Sequence, residues 1–101
     1  MGSLSVIWWR DIPAQVMAKD GRLSNKYILP GRFQEAIDRA AVKAGLAGTD
    51  DYLAQWHRES RACGTDLEAE VAAEDKLLEA AYPAARLKDL AATGGLAIDA
   101  S

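Results

Sequence analysis

The side chains best suited to chemistry lie together in residues 5–16, which read SVIWWRDIPAQV. Trp8 and Trp9 stand side by side and are followed directly by Arg10 and Asp11. Trp and Arg are the residue types most enriched where proteins bind one another tightly. A flat indole beside a cation also suits a planar anionic ligand. The run therefore predicts a binding surface.

The remaining reactive side chains form no catalytic or metal-binding pattern. His57 and Cys63 are the single histidine and cysteine of the chain. On the helix that we expect there, six residues leave the two side chains about 240° apart, which does not suit a nucleophile and its base. The acidic pairs at 50–51 and 74–75 are adjacent in sequence, so their carboxylates point apart. We assign no catalytic residue and no metal ligand, and a non-enzymatic role is favoured.

Three short strands are predicted before residue 30. Residues 4–9 carry apolar side chains on both alternating faces, residues 12–19 mainly on one, and residues 26–29 form a third strand. Connections this short cannot make a parallel crossover, so we expect an antiparallel meander. Trp8 and Trp9 must face opposite sides of it. One enters the core; the other, which we take to be Trp9, is an exposed anchor unless a terminal helix or the tail covers it.

From residue 32 onward, apolar residues recur at helical spacing. We expect helices over about residues 32–44, 49–63, 65–82 and 83–93, with Thr49 as the N-cap of the second. The predicted fold is α+β, a three-stranded antiparallel meander followed by three to four helices packed mainly on one face. It forms a single domain over residues 1–101, with residues 1–4 and 96–101 expected to fray.

Composition and charge narrow the class of protein. The net charge is −3 over 101 residues, yet residues 1–34 hold five basic side chains against two acidic ones. An acidic protein is a poor non-specific polyanion binder, while the local excess permits one anionic ligand or an acidic partner surface. A lone cysteine and the lack of a signal-peptide or membrane-span pattern favour a reducing compartment, so we expect a cytoplasmic protein.

Three stretches together resemble a known family. SVIWWRDIPAQV, LPGRFQEAIDRAAVKAGL and DDYLAQW are similar to the small bacterial "virulence factor" domain family, over roughly residues 5–90. The likeness extends to the C-terminal module of conserved virulence factor C. Stand-alone members resemble accessory proteins found beside folate- and cobalamin-linked methyl-transfer enzymes. The resemblance implies a bacterial cytoplasmic accessory protein and supplies no catalytic residues.

Our leading interpretation is a non-enzymatic accessory or protein-interaction module linked to one-carbon metabolism. It presents the sheet edge and the Trp9/Arg10 region to a partner protein. A second is a subunit that binds a folate-like planar anion, with no cofactor of its own. A third is a DNA-binding module, because residues 26–56 look like a ribbon-helix-helix unit, although nucleic acid is disfavoured by Asp50 and Asp51. The candidate binding residues are Trp8, Trp9, Arg10, Asp11, Gln15, Arg32, Trp56 and His57.

Overall fold

Residues 1–97 fold into one antiparallel sheet of four strands combined with four helices. The computed structural model describes residues 1–97. The strands are β1 (Gly2–Trp9), β2 (Ile12–Asp20), β3 (Leu23–Ile28) and β4 (Trp56–Cys63), and the helices are α1 (Gly31–Lys43), α2 (Asp50–Ala54), α3 (Leu67–Ala81) and α4 (Ala84–Ala92). The predicted α+β class is confirmed.

The first three strands form the predicted meander. The strand order is β3-β2-β1-β4, and every neighbouring pair is antiparallel. The pairing of β1 with β2 shifts by one residue between Ile7 and Trp8, so Trp8 lies opposite Pro13. Pro13 therefore sits at an irregularity, where a residue without a backbone N–H is tolerated. β1 begins at Gly2, so residues 2–4 are paired rather than frayed; residues 98–101 of the expected frayed tail lie outside the described residues.

The fourth strand corrects the prediction of a helix over residues 49–63. Thr49 does cap a helix, its side chain accepting from the backbone N–H of Tyr52. That helix ends at Ala54, and Trp56–Cys63 then pairs along the whole length of β1. The sheet thus has four strands rather than three. The structure departs from the ribbon-helix-helix interpretation of residues 26–56, because its second helix is only the five residues of α2 and the chain then continues as β4.

One face of the sheet carries the core and is covered by α3. Leu4, Val6, Val16 and Ala18 are buried on this face, and α3 packs on β1, β2 and β3. A 3.2 Å ion pair joins Arg61 of β4 to Glu74 of α3 on the same side. Strand alternation places residues 4, 6 and 8 of β1 under the helix.

The opposite face, which we call the open face, is accessible across all four strands. Register and alternation assign it twelve residues: Ser3, Ser5 and Ile7 of β1, Gln15, Met17 and Lys19 of β2, Ser24, Lys26 and Ile28 of β3, and Arg58, Ser60 and Ala62 of β4. A 2.8 Å hydrogen bond between the Ser5 and Ser60 hydroxyls confirms that β1 and β4 share this face. Eight of the twelve residues are exposed and only Ser5 is buried.

The remaining helices close the end of the sheet beside the β1–β2 turn. α1 packs on β2 and on α4. It ends as predicted at Gly45, where the Leu46 N–H bonds the Ala41 carbonyl and the Gly45 N–H bonds the Val42 carbonyl, as in a Schellman motif. α4 ends at Gly94 and Gly95, both with left-handed φ values. No helix within residues 1–97 is long and apolar enough to cross a membrane.

Candidate binding cleft and sheet face

A cleft of about 260 Å³ opens where the β1–β2 turn meets β4 and the end of α3. It contains four of the sequence-predicted residues, brought together because β4 pairs with β1. We call this site the cleft, and its lining residues are Trp8, Arg10, Asp11, His57, Glu59, Tyr82, Arg86 and Ala97. Two guanidinium groups and two carboxylates line the cleft. A ligand that carries both a positive and a negative charge therefore suits it better than a simple anion does.

Trp8 forms the aromatic wall of the cleft. Its ring lies nearly parallel to that of His57, with centroids 6.4 Å apart, and meets the Tyr82 ring edge-on at 6.1 Å. Trp8 pairs with His57 directly across β1 and β4, which explains their proximity. The indole N–H of Trp8 is buried and has no hydrogen-bond partner within the described chain. Such a donor is costly to leave unpaired.

Arg10 ties three segments together beside the cleft. Its Nε donates to Gln55 Oε1 at 3.1 Å and its Nη1 to the Gly94 carbonyl at 3.0 Å. Its guanidinium also lies 5.3 Å from the Trp9 ring centroid. The backbone of Arg10 has φ 52°, the single positive value of a non-glycine residue within residues 1–97. Arg10 is therefore largely occupied by structural contacts.

Asp11 and His57 are held by backbone groups. Asp11 Oδ2 accepts from the Ala97 N–H at 2.6 Å, and His57 Nε2 lies 2.8 Å from the Arg10 carbonyl oxygen. Because a carbonyl only accepts, the proton of this bond belongs to Nε2. Both side chains fasten the turn to neighbouring segments, which leaves neither placed as a free acid or base.

Tyr82 and Arg86 complete the cleft on the helical side. Burial raises the pKa of the Tyr82 hydroxyl above 10.0; Arg86 opposes this, while Asp11 and Glu59 add to it. The phenol is thus a hydrogen-bond donor at neutral pH and not a base. The Arg86 guanidinium lies 4.5 Å from the Tyr82 ring centroid and donates to the Ala81 carbonyl at 3.0 Å.

Trp9 does not reach the surface, which corrects the expectation that it is an exposed anchor. Its exposed fraction is 0 %, and its indole Nε1 donates to the Tyr52 carbonyl at 2.9 Å. A Cβ placed on Gly95 would lie 2.8 Å from the Trp9 ring, so the segment after α4 covers the indole. The side chains of the two tryptophans do point to opposite faces of the sheet, as strand geometry requires. Trp8 is the partly accessible one.

The other predicted site residues lie elsewhere. Gln15 belongs to the open face. Arg32 begins α1, where its guanidinium lies 4.8 Å from the Phe33 ring centroid and 4.0 Å from Glu79. Trp56 is half-buried beside Tyr52, at 6.1 Å between ring centroids. The structure therefore assembles Trp8, Arg10, Asp11 and His57 in the cleft, and the remaining four lie outside it.

The cations of the open face were missed by sequence reasoning. Lys19, Lys26 and Arg58 are exposed there, and none of the three takes part in an ion pair within residues 1–97. Alternation within β2 and within β3 cannot show that Lys19 and Lys26 share a face, because that depends on the register between the two strands. Arg58 was unassignable while its segment was taken for a helix.

No group of three or more His, Cys, Asp or Glu side chains within residues 1–97 is placed to hold a metal ion.

A family model described as "Virulence factor" matches residues 7–91. Searches of curated proteins and of solved structures return no match. The matched range includes β2, β3, β4, α1, α2, α3 and α4 up to Ala91, together with seven of the eight residues that line the cleft.

Proposed function

The chain belongs to the virulence factor family, and we propose that it acts there as a non-enzymatic protein-interaction module. The observation that carries this proposal is the open face. It spans four strands, its central residues Ile7 and Met17 are half-buried, and Ile28 is 67 % exposed. An accessible face that groups apolar side chains with polar ones around them is typical of surfaces that bind other proteins.

The cleft supports the same conclusion. Arg10, Asp11 and His57 each use their polar atoms to fasten backbone segments to one another. The Tyr82 hydroxyl is protonated at neutral pH, as tyrosine ordinarily is, and burial raises its pKa further. Side chains committed in this way stabilise the fold and are poorly placed to transfer protons.

The cellular setting proposed here rests on the resemblance to accessory proteins of methyl-transfer enzymes. A chain with one cysteine suits the reducing cytoplasm. We therefore place the module in a bacterial cytoplasmic complex of folate- or cobalamin-linked one-carbon metabolism, where a partner performs the chemistry.

Affinity capture from the host, followed by calorimetry with the purified partner, tests the proposal. We expect one protein to be retained at a fixed molar ratio and to bind the purified chain directly. The matched control is a chain with the open-face substitution Ile28→Asp, which leaves the buried core untouched. Equal binding by this variant, or the absence of any directly binding protein, would contradict the proposal.

A second candidate function is supported by the cleft itself, namely binding of a folate-like planar anion. Trp8 and His57 offer near-parallel rings, and Arg86 offers a cation. The volume of about 260 Å³ is below the roughly 300–1,000 Å³ of typical small-molecule sites. The small volume and the two carboxylates of the lining, Asp11 and Glu59, disfavour a large anion, so we rank this function second.

Thermal unfolding with a folate panel tests the second candidate. A bound folate raises the melting temperature in proportion to the logarithm of its concentration once it is in excess. The shift should vanish in Arg86→Gln and persist in Lys88→Gln, which lies on the same helix outside the cleft. A melting temperature that ignores every folate would exclude this function.

A further inference from the structure

The open face is electrically one-sided. Lys19, Lys26 and Arg58 are its charged residues, and no Asp or Glu is among the twelve. The protein as a whole carries a net charge of −3. A cationic face on an acidic protein selects for a negatively charged partner and repels basic ones.

The arrangement of the face is as specific as its charge. Ile7, Gln15 and Ile28 form one cross-strand row together with Arg58, and Met17 lies in the next row beside Lys26. The apolar side chains therefore group in the two rows nearest the β1–β2 turn, with Arg58 at the β4 edge, Lys26 at the β3 edge and Lys19 in the third row. A partner that fits must place an apolar surface on this group and acidic side chains around it.

The dimensions indicate a single helix. Four strands and five residues along each give roughly 14 Å by 13 Å between the outermost Cα atoms. An α-helix with its side chains is about 10–12 Å wide, and three turns are about 16 Å long. The covered face shows the same pairing, because α3 carries Glu74 against Arg61 while it buries Val71 and Leu78 on the sheet.

We propose that the open face binds an amphipathic, acidic α-helix of a partner protein. Its apolar side chains lie on Ile7, Met17 and Ile28, and its carboxylates meet Lys19, Lys26 and Arg58. This inference rests on the proposed interaction function and names the partner's chemistry. The face is smaller than the roughly 800 Å² per partner of a standard interface, so the complex is expected to be transient.

Other occupants fit less well. Two copies of the chain placed face to face would bring three cations against three. Single-stranded nucleic acid is held by aromatic rings on which bases stack, and the twelve residues include none. An anionic membrane would attract the cations, but only three apolar side chains of the face could insert into it. The crosslinking experiment distinguishes each of these occupants.

Photo-crosslinking in the host tests the inference. Benzoylphenylalanine replaces Ile28 or, in a second variant, Ser60, both exposed on edge strands. Control positions are Arg86 in the cleft and Lys76 on the exposed side of α3. We expect crosslinks from the two open-face positions to one protein segment of net negative charge, identified by mass spectrometry. Crosslinks from these positions to lipid, nucleic acid, a second copy or a basic segment would overturn the inference.

Fluorescence anisotropy with the synthetic crosslinked segment then measures the charge dependence. Combining Lys26→Glu with Arg58→Glu should weaken binding at least tenfold, while the control Lys76→Glu combined with Lys88→Glu should change it less than twofold. Equal effects of the two pairs would refute the inference. If protein crosslinks form from Arg86 alone, the proposed interaction function stands and the acidic-helix inference is refuted. If no position gives a protein crosslink, both the interaction function and the acidic-helix inference are contradicted.

Discussion

The Arg10 guanidinium and the Gly94 carbonyl oxygen are joined by a 3.0 Å hydrogen bond across 84 residues of sequence. This bond attaches the β1–β2 turn to the C-terminal end of α4, where unpaired carbonyls favour a cation. Arg10 makes this bond from a left-handed backbone conformation, with φ 52°. The turn, the helix end and the cleft beside them therefore share one residue.

An alanine variant is usually more stable than the glycine variant at the same position, and at Arg10 we expect the reverse. Both variants lose the guanidinium, but only glycine adopts a left-handed φ without strain. We expect Arg10→Gly to be more stable than Arg10→Ala by about 1 kcal/mol, measured by urea denaturation. The same two substitutions at Lys19, an exposed strand position, should favour alanine. An Arg10→Ala variant that is the more stable of its pair would show that the positive φ carries no strain.

Gly95 is expected to tolerate no side chain. Gly95 and Gly48 both have positive φ, so alanine is strained at each by about 1 kcal/mol. A Cβ on Gly95 also lies 2.8 Å from the Trp9 ring, whereas Gly48 has nothing within 4 Å. Overpacking should make Gly95→Ala less stable than Gly48→Ala by a further 1–3 kcal/mol or so. Comparable thermal melts for the two variants would mean that the Trp9 indole moves freely.

Cys63 should react slowly with alkylating reagents. Burial raises the pKa of its thiol above 9.0, and the Glu70 carboxylate raises it further, against the Arg61 guanidinium. Glu70→Gln removes one negative charge while keeping an acceptor for the Gly64 N–H. Iodoacetamide should then modify Cys63 several-fold faster at pH 8, because more thiolate is present. Glu68→Gln, on the same helix, serves as the control and should leave the rate unchanged; a slower rate in Glu70→Gln would contradict the assignment.

Glu79→Gln should stabilise the protein at neutral pH. A hydrogen bond with Asp75, followed by burial and the Asp75 charge, raises the pKa of Glu79 above 4.5, against Arg32. A carboxyl with a raised folded pKa binds more protons in the native state, so its presence costs stability at high pH and this cost disappears as the pH falls. The melting temperature of Glu79→Gln should therefore exceed that of the parent at pH 7, by the equivalent of a few tenths of a kcal/mol.

The pH dependence distinguishes this effect from a general one. The advantage of Glu79→Gln should shrink as the pH falls through the folded pKa, where the parent carboxyl becomes neutral. Glu68→Gln should show no such trend. A constant advantage from pH 7 to pH 4 would indicate that amide packing, and not charge, is responsible.

Local sequence patterns predicted the meander, the start and end of α1, and the separation of Trp8 from Trp9. They did not predict β4, because Trp56–Cys63 is an edge strand with exposed polar side chains on both faces. Such a segment has no apolar alternation, and its assignment depends on pairing with β1 far away in sequence. Alternation also could not decide which tryptophan is buried. Trp9 lies inside because Tyr52 and Gly95 pack against it, and those are tertiary contacts.

The cleft was partly predictable and the open face was not. Trp8, Arg10 and Asp11 were named from one continuous run, and His57 joins them only through the β1–β4 register. The open face depends on three registers at once, so its cations become neighbours only when the sheet is assembled.

The central position of β1 has a consequence for synthesis on the ribosome. β1 pairs with β2 almost as soon as both have emerged, but its other side waits for β4, which follows after α1 and α2. A nascent chain that has not reached Trp56 presents the unpaired side of a long, largely apolar strand. Such an edge recruits other chains. The interval between the emergence of β2 and that of β4 is therefore the stage at which this protein is most prone to aggregate, and slow elongation there would lower its yield.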